Sequence, residues 1–433
     1  MLQRSIGDPS SNSNLSETAL KRRLLNVMGY KVLLEINEAS VIMPTALVGT
    51  VLLTLSGRSV GRSELLRRVL WLTERVRNAG GRVAHFAEST VEGVVDKALG
   101  VLGPQLVGRL DDLAEEMYYA EDRFQLSFYR NMTIHLFISQ ALICASMYIK
   151  VKLGGGSDKE QMSYKELYDY TYFLSQLFRA EFIFPTTPFE ENLQTTLASL
   201  VKDKVLSTTT DSTGQISTIS IHPDERALDL ENFDFYNFLL WPFIEASWLG
   251  NIAIFMLAPP SSHTFSLTTQ SSETAEQTTW IDLKTFQDAA QLLGKTLYHR
   301  GDLVYYEAVN KESLKNAISR SEEEGIILIT KPTKDSKSPQ RVRLNPDWMP
   351  RSNSDGDLVP EGRLWEFCEY INLSRRDGEG KKEGRTVTKR ILGLARVLGQ
   401  ELFEQAVSEK KGVQTTKIRR RQGIKTGGRE SRL

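Results

Sequence analysis

Two cysteines in 433 residues, Cys144 and Cys368, are too few for a disulfide framework or a cysteine-based zinc site. Cys144 stands in an apolar run and reads as a small core residue. Histidine is scarce too. His85, His135, His222, His263 and His299 are the five, and none falls in an H-E-x-x-H or other metal-ligand spacing, so no metal and no cofactor is expected. Charge of one sign is missing as well. Lys and Arg total 54, as do Asp and Glu, which leaves no basic excess to release counterions from a phosphate backbone, so no nucleic-acid partner is expected. Gly154-Gly155-Gly156 lacks the Lys-Ser/Thr pair of a phosphate loop and reads as a linker. Residues 1–17 are polar, rich in Ser and Asn, and are expected to be disordered; they carry no signal-peptide stretch. Unbroken apolar runs of spanning length are also wanting. Thr133 to Ile149 is interrupted by His135, Ser139, Gln140 and Ser146, and Phe233 to Leu257 by Asp234, Pro242, Glu245 and Asn251. A membrane span needs about 20 predominantly apolar residues, so both read as buried core helices, with peripheral bilayer contact left open.

What is present is chiefly helical patterning. Ser63 is placed to cap a helix whose Leu65, Leu66, Val69, Leu72 and Val76 recur at helical spacing, ended by Gly80 and Gly81. Leu106, Leu110, Leu113 and Met117 give a second helical stripe, and Phe124 to Val151 a long third helix. Tyr164 to Phe184 reads as helix, broken by Pro185 and Pro188, followed by a helix from Glu190 to about Lys204. Then β-branched runs at 205–210 and 215–221, separated by Asp211-Ser212-Thr213-Gly214, predict a hairpin. Helix followed by hairpin is the outline of a winged-helix unit. The outline recurs about 121 residues on, where Leu193, Leu197, Val205 and Leu206 find counterparts in Leu314, Ile318, Ile326 and Ile327.

The expected fold is therefore mainly α: a multi-helix domain followed by winged-helix-like units with small β-hairpins. The boundaries are 18–160 for the helical domain, 161–260 for a helix plus winged hairpin, 261–282 for a linker, 283–400 for a second such unit, and 401–433 for a mobile basic tail. Loops or disorder are expected at 259–279, 333–339, 352–356 and 375–384, which are poor in large apolar residues. Neither predicted unit has a basic recognition helix. Glu190 and Glu191 mark the first and Glu322-Glu323-Glu324 the second, so these wings read as packing modules.

Gly57-Arg58-Ser59-Val60-Gly61 fits the G-x-S-x-G pattern of a nucleophilic serine. That chemistry needs a strand before Ser59 and a helix after it. Leu47–Leu55 passes as such a strand, but no alternation of strands and helices follows. A helix–helix turn is the favoured reading, with a Ser59 hydrolase kept as an alternative.

Four ordered segments resemble the C-terminal region of the glycerol-3-phosphate/dihydroxyacetone-phosphate acyltransferase family: Ile36–Val48, Phe128–Phe137, Phe178–Pro185 and Leu240–Glu245. The resemblance covers about residues 30 to 250. It implies acyl-CoA-dependent acylation in glycerophospholipid or ether-lipid synthesis. The family's catalysts use a His and an Asp separated by four residues, the imidazole acting as general base on the acceptor hydroxyl. Five places after the histidines of this chain stand Thr90, Gln140, Ala227, Thr268 and Val304, none acidic. The family's Phe-x-Glu-Gly loop, which helps hold the acceptor phosphate, is absent too, so Met1 is expected to fall downstream of the chemistry and the chain alone to be inactive. No catalytic residue is assigned. A catalytic acyltransferase half is the implied partner, and a non-enzymatic interaction or scaffold protein is the alternative.

Ser431-Arg432-Leu433 resembles a peroxisomal signal of the Ser-Lys-Leu type, read by an import receptor. With the dihydroxyacetone-phosphate branch of the family in mind, the expected address is the peroxisome. The alternative is the periphery of the mitochondrial or endoplasmic-reticulum membrane.

Overall fold

The computed structural model describes residues 17–55, 57, 59–84, 90–111, 113–156, 159–259, 280–330, 339–376 and 384–426. The chain is mainly α-helical and forms two compact units, Met1–Pro242 and Phe243–Leu433.

The first unit opens with α1 (Glu17–Ala39) and a two-residue strand β1 (Val41–Ile42). Next comes α2 (Pro44–Leu53), in which every residue except Thr45 is buried. Pro44 sits at the first helical position, where its missing N–H costs nothing, after an extended Met43. Leu47–Leu55, which the hydrolase alternative needs as a strand, is thus mostly helix. With apolar side chains all round it is a core helix rather than a half-exposed one. A Cβ at Gly49 would stand 3.0 Å from the Tyr129 Cβ, which is how closely this helix approaches its neighbour.

A winged unit follows where helix was expected. Strand β2 (Val60–Gly61) leads into α3 (Arg62–Asn78). A short β3 (Arg82–Val83) pairs with β1 in parallel, and α4 (Val91–Leu102) comes next. Then β4 (Val107–Leu110) and β5 (Met117–Ala120) form an antiparallel hairpin, and β2 pairs with β5. The helical stripe Leu106, Leu110, Leu113, Met117 does not form: Leu110 and Leu113 are exposed. Gly103, at φ +72, and Pro104 end α4, and the paired strands bury Val107 and Tyr118. Helix α3 keeps its predicted stripe, with Leu65, Val69, Leu72 and Val76 buried, but Gly61 rather than Ser63 is its cap.

The predicted long helix from Phe124 breaks into α5 (Arg123–Asn131), a 3-10 turn at Ile134–Leu136, and α6 (Ile138–Leu153). The Thr133 hydroxyl donates to the Arg130 carbonyl at 2.8 Å and meets the Thr50 hydroxyl at 3.1 Å, fixing the break. A second winged unit comprises β6 (Gln161–Ser163), α7 (Tyr164–Leu177), α8 (Phe189–Lys202), β7 (Leu206–Thr210) and β8 (Ile216–Ile221). Its sheet order is β6-β8-β7. Helix α7 begins at a capping box, Ser163 with Glu166, and stops at Leu177, short of the expected Phe184. After α9 (Pro223–Ala227), the buried Glu225 carboxylate accepts from the Asn232 and Phe233 amides at 2.6 and 2.8 Å, at the start of α10 (Glu231–Ala253).

The second unit repeats the plan. It has β9 (Ile281–Asp282), α11 (Leu283–His299), α12 (Lys311–Glu323), β10 (Ile327–Ile329) and β11 (Arg341–Leu344), in sheet order β10-β11-β9. The predicted pairs Leu193/Leu314, Leu197/Ile318, Val205/Ile326 and Leu206/Ile327 are all buried. Among the described residues there are three such units, and one backbone bond marks each. The amide just past the wing donates to the carbonyl just before it: Glu121 to Leu106 at 2.9 Å, His222 to Val205 at 3.1 Å, and Asn345 to Ile326 at 3.0 Å. A residue just past the second helix of each unit has positive φ every time, at Gly103, Lys204 and Gly325.

After α13 (Arg363–Asn372) the chain closes with α14 (Gly384–Thr426). The basic tail expected from 401 is helical as far as Thr426, and Leu402 and Phe403 are buried. They extend the helical stripe of Ile391, Leu392 and Ala395. Gly399 lets this helix close on the Met256 carbonyl, 2.6 Å from where a Cβ would stand. Residues 352–356 form a turn, in which Asn353 Oδ1 accepts from the Asp355 and Asp357 amides at 3.1 and 2.8 Å. Residues 260–279, 331–338 and 377–383, and with them most of the expected loops, lie outside the described residues.

Candidate functional site

The four family-like segments lie partly in the interior of the fold, although Ile36, Val41, Met43 and Phe128 are exposed. The first ends α1 and enters α2. The second is α5 with the turn after it, where the Ser40 hydroxyl approaches His135 Nε2 at 3.3 Å. In the third, Phe178 and Phe182 are buried, Phe184 is half-buried, and the rings meet edge to face. Tyr30 of α1 holds this segment: its hydroxyl donates to the Phe184 carbonyl at 2.8 Å and accepts from the Phe184 amide at 2.6 Å. The fourth lies within α10, where Trp241 is buried and Phe243 half-buried. On the first unit's side, Trp71, Phe137 and Tyr236 stand edge-on around Phe235.

Ser40 and His135 form a hydroxyl–imidazole pair that spacing did not reveal, since 95 residues separate them. Their geometry does not make a nucleophile and base. The Ser40 hydroxyl donates to the Asn37 carbonyl at 2.8 Å, leaving only its oxygen for the imidazole. Burial holds His135 below the usual imidazole range, against the Met132 and Asn37 carbonyls that favour its protonated form. The pair staples the end of α1 to the turn at 134–136.

Ser59 is exposed, and it stands between α2 and the two-residue β2 of an antiparallel sheet. The strand–serine–helix elbow over a parallel sheet, on which the hydrolase alternative rests, is not formed there. His222 caps α9, its Nδ1 accepting from the Asp224 amide at 3.1 Å, and His299 is exposed at the end of α11. His85, His263 and the tripeptide Ser431, Arg432, Leu433 lie outside the described residues. Among the described residues no group of three or more His, Cys, Asp or Glu is placed to hold a metal.

Two polar constellations stand out. A cleft of about 690 Å³ in the first winged unit is lined by Arg62, Arg109, Asp96, Glu116 and Tyr118, with α4 along one side. Arg62 pairs with Asp96 at 2.8 Å and with Glu116 at 3.5 Å, and Arg109 with Asp111 at 2.7 Å. Cations already met by carboxylates offer a phosphate little net attraction. In the second unit, the fully buried Glu245 accepts from the Val304 amide at 3.0 Å, the Tyr305 amide at 2.7 Å and Arg375 at 3.1 Å. Arg375 also donates to the Asp302 carbonyl at 3.2 Å and lies over the Trp248 ring at 4.0 Å; Asp302 pairs with Arg390. Burial pushes the Glu245 carboxyl up to about 7, while Arg375 and the two amides pull the other way. This cluster ties α10 to the segments at 302–305 and 372–376, with Asp302 Oδ2 and Arg390 Nε left buried without a hydrogen bond.

Comparison with known proteins bears out the family resemblance. Residues 3–330 match the family described as the glycerol-3-phosphate acyltransferase C-terminal region, so the chain belongs to that family. Among curated proteins, a 157-residue stretch is 27% identical to the mitochondrial glycerol-3-phosphate acyltransferase 1 of Rattus norvegicus. The match covers 34% of this chain and 19% of the relative, so the chain spans only a small part of the protein it resembles.

Proposed function

We propose that this chain is a non-catalytic, scaffolding part of an acyl-CoA-dependent glycerol-3-phosphate or dihydroxyacetone-phosphate acyltransferase, and that it transfers no acyl group alone. The observation that carries this reading is the setting of His135. It lies inside a family-like segment, yet it is held by Ser40 and two backbone carbonyls rather than by an aspartate that would orient a base. The test is acyl transfer from acyl-CoA to each acceptor by the purified chain. The expected rate is the no-enzyme rate, since loss of a general base alone costs about 100- to 10,000-fold. Turnover abolished by His135→Ala would overturn the proposal. Activity restored by adding a separate acyltransferase domain would support it.

Two addresses remain within this reading. The rat relative is named as mitochondrial, which favours the mitochondrial membrane periphery. Ser431-Arg432-Leu433 favours the peroxisome and its import receptor. A reporter fused ahead of the chain, with Leu433 free, decides between them by its co-localisation with mitochondrial or peroxisomal markers.

A further inference from the structure

A second cleft, of about 590 Å³, lies within the Phe243–Leu433 unit. One wall is apolar. Leu358, Val359 and Pro360 come from the loop before α13, and Trp365 from α13 itself, its half-buried ring held edge-on by Phe255. The opposite wall is the start of α14, through Thr388, Lys389 and Gly393. A cleft of this volume, with an apolar wall and a few polar groups, has the form of a small-molecule site. Its lining residues all stand past residue 330, beyond the stretch matched to the acyltransferase C-terminal region.

Two features say what the cleft takes. The first is charge. Asp357, the carboxylate among the lining residues, already pairs with Arg396 at 2.8 Å. Lys389 has no carboxylate partner among the described residues, so its ammonium is the uncompensated charge of the site. Asn353 lines the cleft too, and its Oδ1 is taken by the Asp355 and Asp357 amides, which leaves its NH2 to donate. The cleft of the first winged unit is the opposite case, since carboxylates meet its arginines. The second feature is Gly393. Glycine inside a helix costs about 1 kcal/mol against alanine. Gly399 has a packing reason, the Met256 carbonyl at 2.6 Å from where a Cβ would stand, but at Gly393 nothing lies within 4 Å. Packing within the chain does not require glycine there; the missing side chain keeps the cleft open.

We infer that this cleft binds a small amphipathic anion: an apolar body lying along Trp365 and Leu358–Pro360 and ending in one carboxylate or phosphate that Lys389 meets. An inorganic anion would leave the apolar wall wet, and a neutral apolar molecule would leave the ammonium unmet. The inference goes beyond the scaffold role and does not depend on it, since it needs neither a catalytic partner nor acyl transfer.

The experiment is calorimetric titration of the purified full chain with octanoate, octyl phosphate and octanol, each below the concentration at which it aggregates. Saturable binding of at least one anion is expected, with octanol about 10-fold weaker for want of the charge-assisted contact. The tighter of the two anions assigns the head group. Lys389→Met should bring the anions down to the level of octanol and leave octanol itself unchanged. Gly393→Leu should fill the cleft and abolish binding of all three. Its melting temperature should hold or rise, because leucine is the better helix former and the space beside it is open. No saturable binding of either anion by the intact chain would overturn the inference. Octanol binding as tightly as both anions would overturn it by removing the role of Lys389. Anion binding that survives Gly393→Leu would overturn it by placing the site elsewhere.

Discussion

Helices α1 and α10 are both 23 residues long and both rich in leucine, phenylalanine or other large apolar side chains, yet they meet opposite fates. In α10, continued by a 3-10 turn to Leu257, the apolar window is 94% buried, although it is long and apolar enough to cross a membrane. In α1 a full row of leucine, methionine, valine and isoleucine faces outward. The difference lies in where the polar groups go. α10 carries Asn237, Glu245 and Asn251 into the interior, where each makes at least one hydrogen bond, although Asn237 Oδ1 and the Trp248 indole N–H of the same helix are buried without one. Asn237 Nδ2 donates to the Phe233 carbonyl at 3.2 Å, and the Ser321 hydroxyl donates to Asn251 Oδ1 at 3.1 Å. α1 mixes charges, Lys21, Lys31, Glu35 and Glu38, among its exposed apolar residues. Hydropathy alone ranks the two helices; the burial of one and the exposure of the other separate them.

The comparison can be broken experimentally, beginning with the largest effect. Phe235→Ala should cost about 3–5 kcal/mol, because a 1%-exposed ring touching Trp71, Phe137 and Tyr236 leaves a cavity. Chemical denaturation would show it, and a loss below about 1 kcal/mol would mean that α10 is not the core helix described. The pH dependence of the Phe243–Leu433 unit comes next. The folded carboxyl of Glu245 titrates at about 7, above its ordinary 4.5, so the folded state keeps a proton that the unfolded chain has lost. Its contribution is complete below pH 4.5 and is lost as pH rises to 7, by up to about 3 kcal/mol at about 1.4 kcal/mol per unit. Glu245→Gln should flatten that slope; an unchanged slope would assign it to other groups. Tyr30→Phe should cost about 1 kcal/mol and loosen α1 in hydrogen exchange, since it removes both bonds to Phe184. Smallest of all, Met28→Ser should change stability by less than about 0.5 kcal/mol, because the site is exposed in this chain. A larger loss would show that the face is already covered.

Much of this fold is legible in the sequence. The second and third winged units follow from β-branched runs around Asp211–Gly214 and from the matched apolar pairs, all of which are buried. The first is hidden because Leu106, Leu110, Leu113 and Met117 satisfy helical spacing. What overrides them is local: Gly103 and Pro104 stop the helix, and Gly108 faces Tyr119 so closely that a Cβ would stand 2.1 Å from its ring. Strand pairing is a contact between distant residues, and spacing within a window does not report it. The start of the tail is misplaced for a different reason. Lys410 onward dominates the composition, while Leu402 and Phe403 belong in register to Ile391 and Leu392. The Glu245 cluster is invisible at sequence level, since Arg375 stands 130 residues away. In the sequence Glu245 stands out only as an interruption of an apolar run and as the end of the fourth family-like segment.

The bond that closes each wing has a consequence for how such a protein can vary. An acid, an imidazole and an amide, Glu121, His222 and Asn345, occupy one joint, and in each the contact is made by main-chain N–H and C=O. The side chain is then free to serve another end, and His222 and Asn345 both use theirs to cap the turn that follows. Proline alone is barred at that joint, because it brings no hydrogen to share. An architecture written in main-chain bonds is copied without copying letters, which is why three renderings of one plan can stand in a single chain and look unrelated when read as text.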